Sequence, residues 1–197
     1  MKKAINTIKK SILLVTVFTT MLSNANEISL TYKEDLKETA LTINNVKAGN
    51  LLSIKDYNGI VLYKELINFN GTYKKGFDLT ELPDGNYFFE VDKDLEIKTI
   101  PFTVSSKKVV FNREEETSIY KPYIRQKENL VLISKLAPNL EPLKVSIYSE
   151  STNNSELIYS QKIEGLQSIE LAYRLKKGSF KIVFNSNGKE FTKFINN

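Results

Sequence analysis

The chain of 197 residues contains no histidine, no cysteine and no tryptophan. Without histidine there is no imidazole-based catalytic triad or dyad and no His-ligated metal. Without cysteine there is no thiol nucleophile, thiolate zinc site or iron–sulfur centre, no disulfide staple, and no amino-terminal cysteine to carry a lipid. The lack of tryptophan, beside 10 Tyr and 11 Phe, points to aromatics that fill a core rather than a platform for stacking sugars. No apolar run approaches the ~20 residues that span a bilayer, and no stretch shows a convincing 3.6-residue apolar stripe. At most a single helical turn is expected, over Asp35 to Ala40.

The amino end carries an address. Lys2, Lys3, Lys9 and Lys10 precede an apolar stretch with Leu13, Leu14, Val15, Val17, Phe18, Met21 and Leu22, and Ser23-Asn24-Ala25 then offers a small-x-small site. This three-part pattern predicts a secretory signal peptide over 1–25, cleaved before Asn26, and export to the periplasm, the cell surface or the medium. The formal net charge of +5 must then be read again. Four of the 28 basic residues and none of the 23 acidic ones lie in that segment, so the remainder carries a net charge near +1. The basic pairs left behind (Lys74-Lys75, Lys107-Lys108, Lys176-Lys177) are scattered among acids. They read as solvated turns, and nucleic acid is not an expected partner.

Past the signal, the sequence repeats itself. Ile28-Ser-Leu-Thr-Tyr32 is echoed by Ile119-Tyr-Lys-Pro-Tyr123, and Ala40-Leu41 by Val131-Leu132. Leu52-Ser-Ile54 returns as Val145-Ser-Ile147, Leu62-Tyr63 as Ile158-Tyr159, Phe77-Asp-Leu79 as Tyr173-Arg-Leu175, and Gly85-Asn-Tyr87 as Gly178-Ser-Phe180. Alternation of period two fills both copies. Tyr87, Phe89 and Val91 share one face, as do Phe180, Ile182 and Phe184. Asn58-Gly59 suits a tight hairpin because both residues accept positive φ. The second copy is expected to replace that turn with a longer polar loop, Ser149 to Glu156, and Asp92-Lys-Asp94 and Asn185-Ser-Asn187-Gly188 mark a further hairpin in each copy. Short strands at close spacing predict an antiparallel β-sandwich, twice. The expected division is repeat 1 over 26–106, a connector over 107–117 with a solvated Arg113-Glu-Glu-Glu116 turn, and repeat 2 over 118–197.

The run Leu51-Leu-Ser-Ile-Lys-Asp-Tyr-Asn-Gly-Ile-Val-Leu-Tyr63, then Phe77-Asp-Leu-Thr-Glu-Leu-Pro-Asp-Gly-Asn-Tyr87, resembles the carboxy-terminal sorting domains of type IX secretion substrates. Gly85, Tyr87 and Val91 fall on that pattern's glycine, aromatic and apolar positions. Asp78, Leu79 and Leu82 match the strand and turn before them, and Gly178, Phe180 and Phe184 match more loosely. The resemblance implies an all-β chain of two tandem Ig-like antiparallel β-sandwich domains after a signal peptide, in a bacterial envelope. The better match is the internal copy, however, and the chain ends Asn196-Asn197 rather than on a basic residue, so the resemblance speaks for fold more than for export across an outer membrane.

No catalytic, cofactor or metal residues are expected. Ser-x-x-Lys occurs at Ser105/Lys108 and Ser186/Lys189, but the dyad needs to open a helix, and both sit in strand-turn context. Asp92-Lys-Asp94-Leu-Glu96 alternates oxygens as a calcium loop does, without its glycine or full ligand set. For binding, Tyr57 at a hairpin tip and Tyr120 and Tyr123 beside Pro122 are expected to be partly exposed, the latter two at a seam between domains. The expected role is non-enzymatic, engaging a protein or cell-surface component through sheet edges or that seam. The alternatives are a type IX secretion-related protein with a divergent sorting domain, and an accessory carbohydrate-binding protein or small glycan-active enzyme.

Overall fold

The computed structural model describes residues 28–33, 38–152 and 154–197; the signal segment 1–25 and residues 35–37 of the expected helical turn lie outside them, and the rest of that turn, 38–40, is strand instead. Alternation becomes strand throughout. The first half runs β1 (Ile28–Lys33), β2 (Glu38–Val46), β3 (Leu51–Asp56), β4 (Val61–Leu66), β5 (Gly71–Phe77), β6 (Gly85–Asp92) and β7 (Glu96–Ser105). Strands β1-β2-β5 form one antiparallel sheet, and β4-β3-β6-β7 lie in the other. Inward residues of both, among them Leu41, Ile43, Leu52, Ile54, Phe89 and Phe102, form one core. Each such side chain removed from water contributes about 1.5–3 kcal/mol.

Two short strands follow, β8 (Lys108–Phe111) and β9 (Thr117–Tyr120). Both pair with β7, β8 along Phe102 to Ser105 and β9 along Glu96 to Thr99. Between them Asn112 N–H donates to the Pro101 carbonyl at 3.0 Å. Residues 107–117 thus line the free edge of the first sandwich. Covering an edge in this way removes a template for aggregation.

The second half comprises β10 (Tyr123–Lys127), β11 (Leu130–Leu136), β12 (Leu143–Ser151), β13 (Asn154–Ile163), β14 (Ser168–Arg174), β15 (Ser179–Ser186) and β16 (Lys189–Asn196). Its sheets, β10-β11-β14 and β13-β12-β15-β16, have the strand order of the first sandwich. They close on a separate core of Val131, Ile133, Val145, Ile147, Ile182, Phe184 and neighbours. The protein is all-β, two Ig-like antiparallel sandwiches in sequence.

The first sandwich carries a further Ig-type feature. The hydroxyl of Tyr87, near the start of β6, donates to the Pro83 carbonyl at 2.8 Å, four residues upstream. This is a tyrosine corner. Gly85 makes room for it, since a Cβ there would stand 3.3 Å from the Tyr87 hydroxyl oxygen. Phe180 occupies the matching place in the second sandwich and has no hydroxyl to donate.

Both sandwiches fasten the gap between β4- and β5-type strands with the same kind of knot. In the first, Tyr63 packs edge-on against Phe77 at 5.2 Å, and Tyr63, Tyr73 (2.8 Å) and Lys75 (2.7 Å) all donate to Glu65. In the second, Tyr159 packs edge-on against Tyr173 at 5.3 Å, and both donate to Gln161. The Lys75 and Tyr63 hydrogen bonds hold the Glu65 carboxyl below its ordinary range. Burial pushes the Tyr173 phenol up to about 12.

Ladder registers show which sequence echoes are structural. Leu52/Val145, Tyr63/Tyr159, Phe77/Tyr173 and Tyr87/Phe180 occupy matching places. The two echoes spaced by 91 residues do not. Thr39 stands opposite Phe77 and Val131 opposite Tyr173, so Val131 matches Thr39 and not Ala40. A slip of one residue would turn a core side chain outward, and Ala40 is indeed half-buried while Thr39 and Val131 are buried. Ile119 belongs to β9 on the first sandwich, paired with Ile97. The place of Ile28 is instead taken by Pro122, buried one residue before Tyr123, which pairs with Ser134.

Two turns also differ from expectation. Only Gly59 of the Asn58-Gly59 pair has positive φ (85°), and Gly59 N–H donates to the Asp56 carbonyl at 2.9 Å, which makes a three-residue loop rather than a two-residue one. The expected loop from Ser149 to Glu156 is a ladder. Ser149 pairs with Glu156, Glu150 with Ser155 and Ser151 with Asn154, so β12 and β13 form one long hairpin.

Candidate functional site

The two sandwiches meet along a cleft of about 650 Å³, within the size range of ligand sites. The first contributes the loop after β2 and the β6–β7 hairpin, with Lys47, Asn50, Lys93, Asp94, Leu95 and Glu96. The second contributes Tyr123 on β10, Ser134, Lys135 and Leu136 on β11, and Ser168 and Glu170 on β14. Tyr120 and Lys121 line the crossing between them. Of the sequence candidates, Tyr120 and Tyr123 therefore come together, Tyr123 being 54% exposed. Tyr57 stands apart at the β3–β4 tip, 81% exposed.

Asp92-Lys-Asp94-Leu-Glu96 forms the cleft's hairpin wall, and its aspartates are taken by lysines. Lys47 Nζ meets Asp94 Oδ2 at 2.8 Å, Asn50 Nδ2 donates to Asp94 Oδ1 at 3.2 Å, and Lys121 pairs with Asp92. The Lys47 hydrogen bond holds the Asp94 carboxyl below its ordinary range. A cation would have to displace these ammonium groups. Among the described residues no group of three or more acidic side chains is placed to hold a metal.

Lys135 was not singled out by sequence reasoning. It lies on β11 in phase with Val131 and Ile133, at the position matching Ile43, and is 3% exposed. Its Nζ donates to the Leu136 carbonyl at 3.0 Å. Burial lowers its affinity for a proton, and the nearby Glu141 carboxylate partly offsets this. The phase of Leu130-Val-Leu-Ile-Ser-Lys135 was the available signal: a lysine on the core side of an alternating strand. Beside it Leu95 and Leu136 stay exposed, so the cleft presents apolar side chains between ion pairs closed within the chain.

Across the sandwiches one carboxylate makes the tie. Glu90, on the outer face of β6 and 8% exposed, accepts from Lys55 Nζ at 2.6 Å and from Lys189 Nζ at 2.7 Å, the latter at the start of β16. Burial opposes its charge, but the two lysine hydrogen bonds prevail and hold the carboxyl below its ordinary range. This also bears on Ser186/Lys189. The two pair across the Asn187-Gly188 turn, but the Lys189 amine is committed to the Glu90 carboxylate and not to the Ser186 hydroxyl. Ser105 and Lys108 likewise face each other across a hairpin.

No family model matches the chain, and no curated protein matches it. Among solved structures, the chicken CNTN1 FN1-FN3 domains align over 86% of this chain at 12% identity with a TM-score of 0.28. The BSP domain of a biofilm associated protein aligns over 86% at 11% identity with a TM-score of 0.26. The chain spans 64% and 29% of those two chains.

Proposed function

We propose that this is an exported, non-enzymatic envelope protein that binds a protein or cell-surface component, with the cleft between its two sandwiches as the principal contact. The observation that carries the reading is the make-up of the cleft. Leu95, Tyr123 and Leu136 are exposed within it, while Asp92, Asp94, Lys47 and Lys121 are tied to one another. Such a surface offers apolar contact flanked by paired charges. The lack of histidine and cysteine supports the same reading, and the signal-like amino end supports export.

A photo-crosslinking side chain at position 123, compared with one at position 57, tests the cleft in native cells. An adduct of defined mass is expected from 123 and not from 57; adducts from both or from neither would count against it. Fractionation with intact-mass analysis tests location. A species running from Asn26 in the envelope fits the proposal. A surface or medium species cut after about Glu116 would favour the type IX alternative, because that cut separates β9 and the whole second sandwich from the first.

A further inference from the structure

We propose that Asn187 is a self-modification site, whose amide is lost to water with time and whose new carboxylate draws Lys189 away from Glu90. The site lies outside the cleft and does not depend on what binds there. Asparagine amides are among the thermolabile groups of proteins, and the reaction needs no enzyme or cofactor. The backbone nitrogen of the following residue attacks Asn187 Cγ, the Cγ–Nδ2 bond breaks, and ammonia leaves behind a cyclic imide. Water then opens either carbonyl of that imide, giving aspartate or an isoaspartate whose backbone runs through the β-carbon. A following glycine permits this best, because no Cβ shields its nitrogen.

Asparagine precedes glycine three times, at Asn58-Gly59, Asn70-Gly71 and Asn187-Gly188. Their surroundings differ. Gly59 N–H donates to the Asp56 carbonyl at 2.9 Å, which holds its nitrogen in the loop. Asn70 Oδ1 accepts from Ala48 N–H at 2.9 Å, and Gly71 opens β5 opposite Val46. At the β15–β16 turn both reacting groups are exposed, and neither the Asn187 carboxamide nor Gly188 N–H has a partner among the described residues. Positive φ at both (49° and 70°) closes this two-residue turn. Lys189 follows directly. It pairs with Ser186 across the turn, and its Nζ reaches Glu90 Oε2 on the first sandwich at 2.7 Å. Loss of the amide places a negative charge two residues from that lysine, where it competes for the ammonium and repels Glu90. Isoaspartate also lengthens the backbone of the turn that sets the Ser186–Lys189 pair.

Ageing the protein in warm, mildly alkaline buffer, followed by digestion and peptide mass mapping, tests the site. Asn187 is expected to gain the mass of an amide-to-acid change several times faster than Asn58 or Asn70. Asn187→Gly, which suits the same φ, is expected to abolish that gain and leave the rest of the map unchanged. Conversion led by Asn58 or Asn70, or none at 187, overturns the proposal. The effect on the tie is read from Asn187→Asp, which carries the product's charge. It is expected to lower the melting temperature of the parent chain and to leave that of a Lys189→Met chain unmoved, the non-additivity of groups that share a partner. An equal drop in both backgrounds, or no drop in either, shows that the new charge does not act through Lys189 and overturns the proposal as well.

Discussion

Thr39 shows how a single side chain exposes the difference between the sandwiches. It is fully buried on β2, and its hydroxyl has no hydrogen-bond partner. The matching position in the second sandwich is Val131, which has the same shape without the hydroxyl. An unmet buried hydroxyl costs free energy that an isosteric methyl avoids. Thr39→Val is therefore expected to raise the unfolding free energy by about 1 kcal/mol, read as a higher denaturant midpoint at unchanged slope. Tyr87→Phe should act in the other direction. It removes the corner hydrogen bond to Pro83 and is expected to cost about 1 kcal/mol, whereas no such bond exists to lose at Phe180. Lys135 belongs to the same scale. Its inward place was legible from strand phase alone, but its position in a cleft was not, because that depends on the first sandwich's β6–β7 hairpin arriving beside it.

At the scale of elements, alternation and turn residues made most strands legible, and the echoes spaced by 93 and 96 residues land on matching ladder positions. The echo from Ile28 to Ile119 failed for a physical reason. An apolar residue four before a tyrosine fits any exposed or half-buried strand, and here one belongs to β1 and the other to an added edge strand. The Ser149 to Glu156 ladder was missed because asparagine and glutamate are depleted in strands and serine and asparagine favour turns, and the hairpin's pairing overrides that weakness. Strand β9 also has a measurable duty. Proline at both Ser118 and Ile119 removes every N–H those residues could offer to β7. The variant is expected to keep its β-type circular dichroism but scatter light sooner on warming; equal scattering would show that β7 needs no cover.

At the scale of the whole molecule, Glu90 joins the sandwiches and makes their stability depend on pH. Its carboxyl is held below the ordinary value of 4.5. A depressed folded-state value means that its contribution is fully present above the unfolded-state value and fades as pH falls through the folded one. Stability should therefore drop as pH is lowered from 4.5. Asp94, Glu65 and Glu116 are depressed too, so the useful reading is a difference. Glu90→Gln should show a shallower loss of melting temperature below that pH than the parent chain. Lys189→Met leaves Lys55 to neutralise Glu90 but cuts the tie, and is expected to broaden the distance distribution in small-angle scattering at neutral pH. The pair of sandwiches was legible in the repeat. The tie was not, since its partners lie 99 residues apart.

The placement of β9 also imposes an order in time. A chain made from its amino end has all seven strands of the first sandwich once Ser105 has emerged, yet β7 waits for Tyr120 before its edge is closed. The lysine that ties the two bodies together comes only with the last hairpin. Over that interval the first sandwich has its core but not its border, and this is when a chaperone that recognises extended backbone would find it.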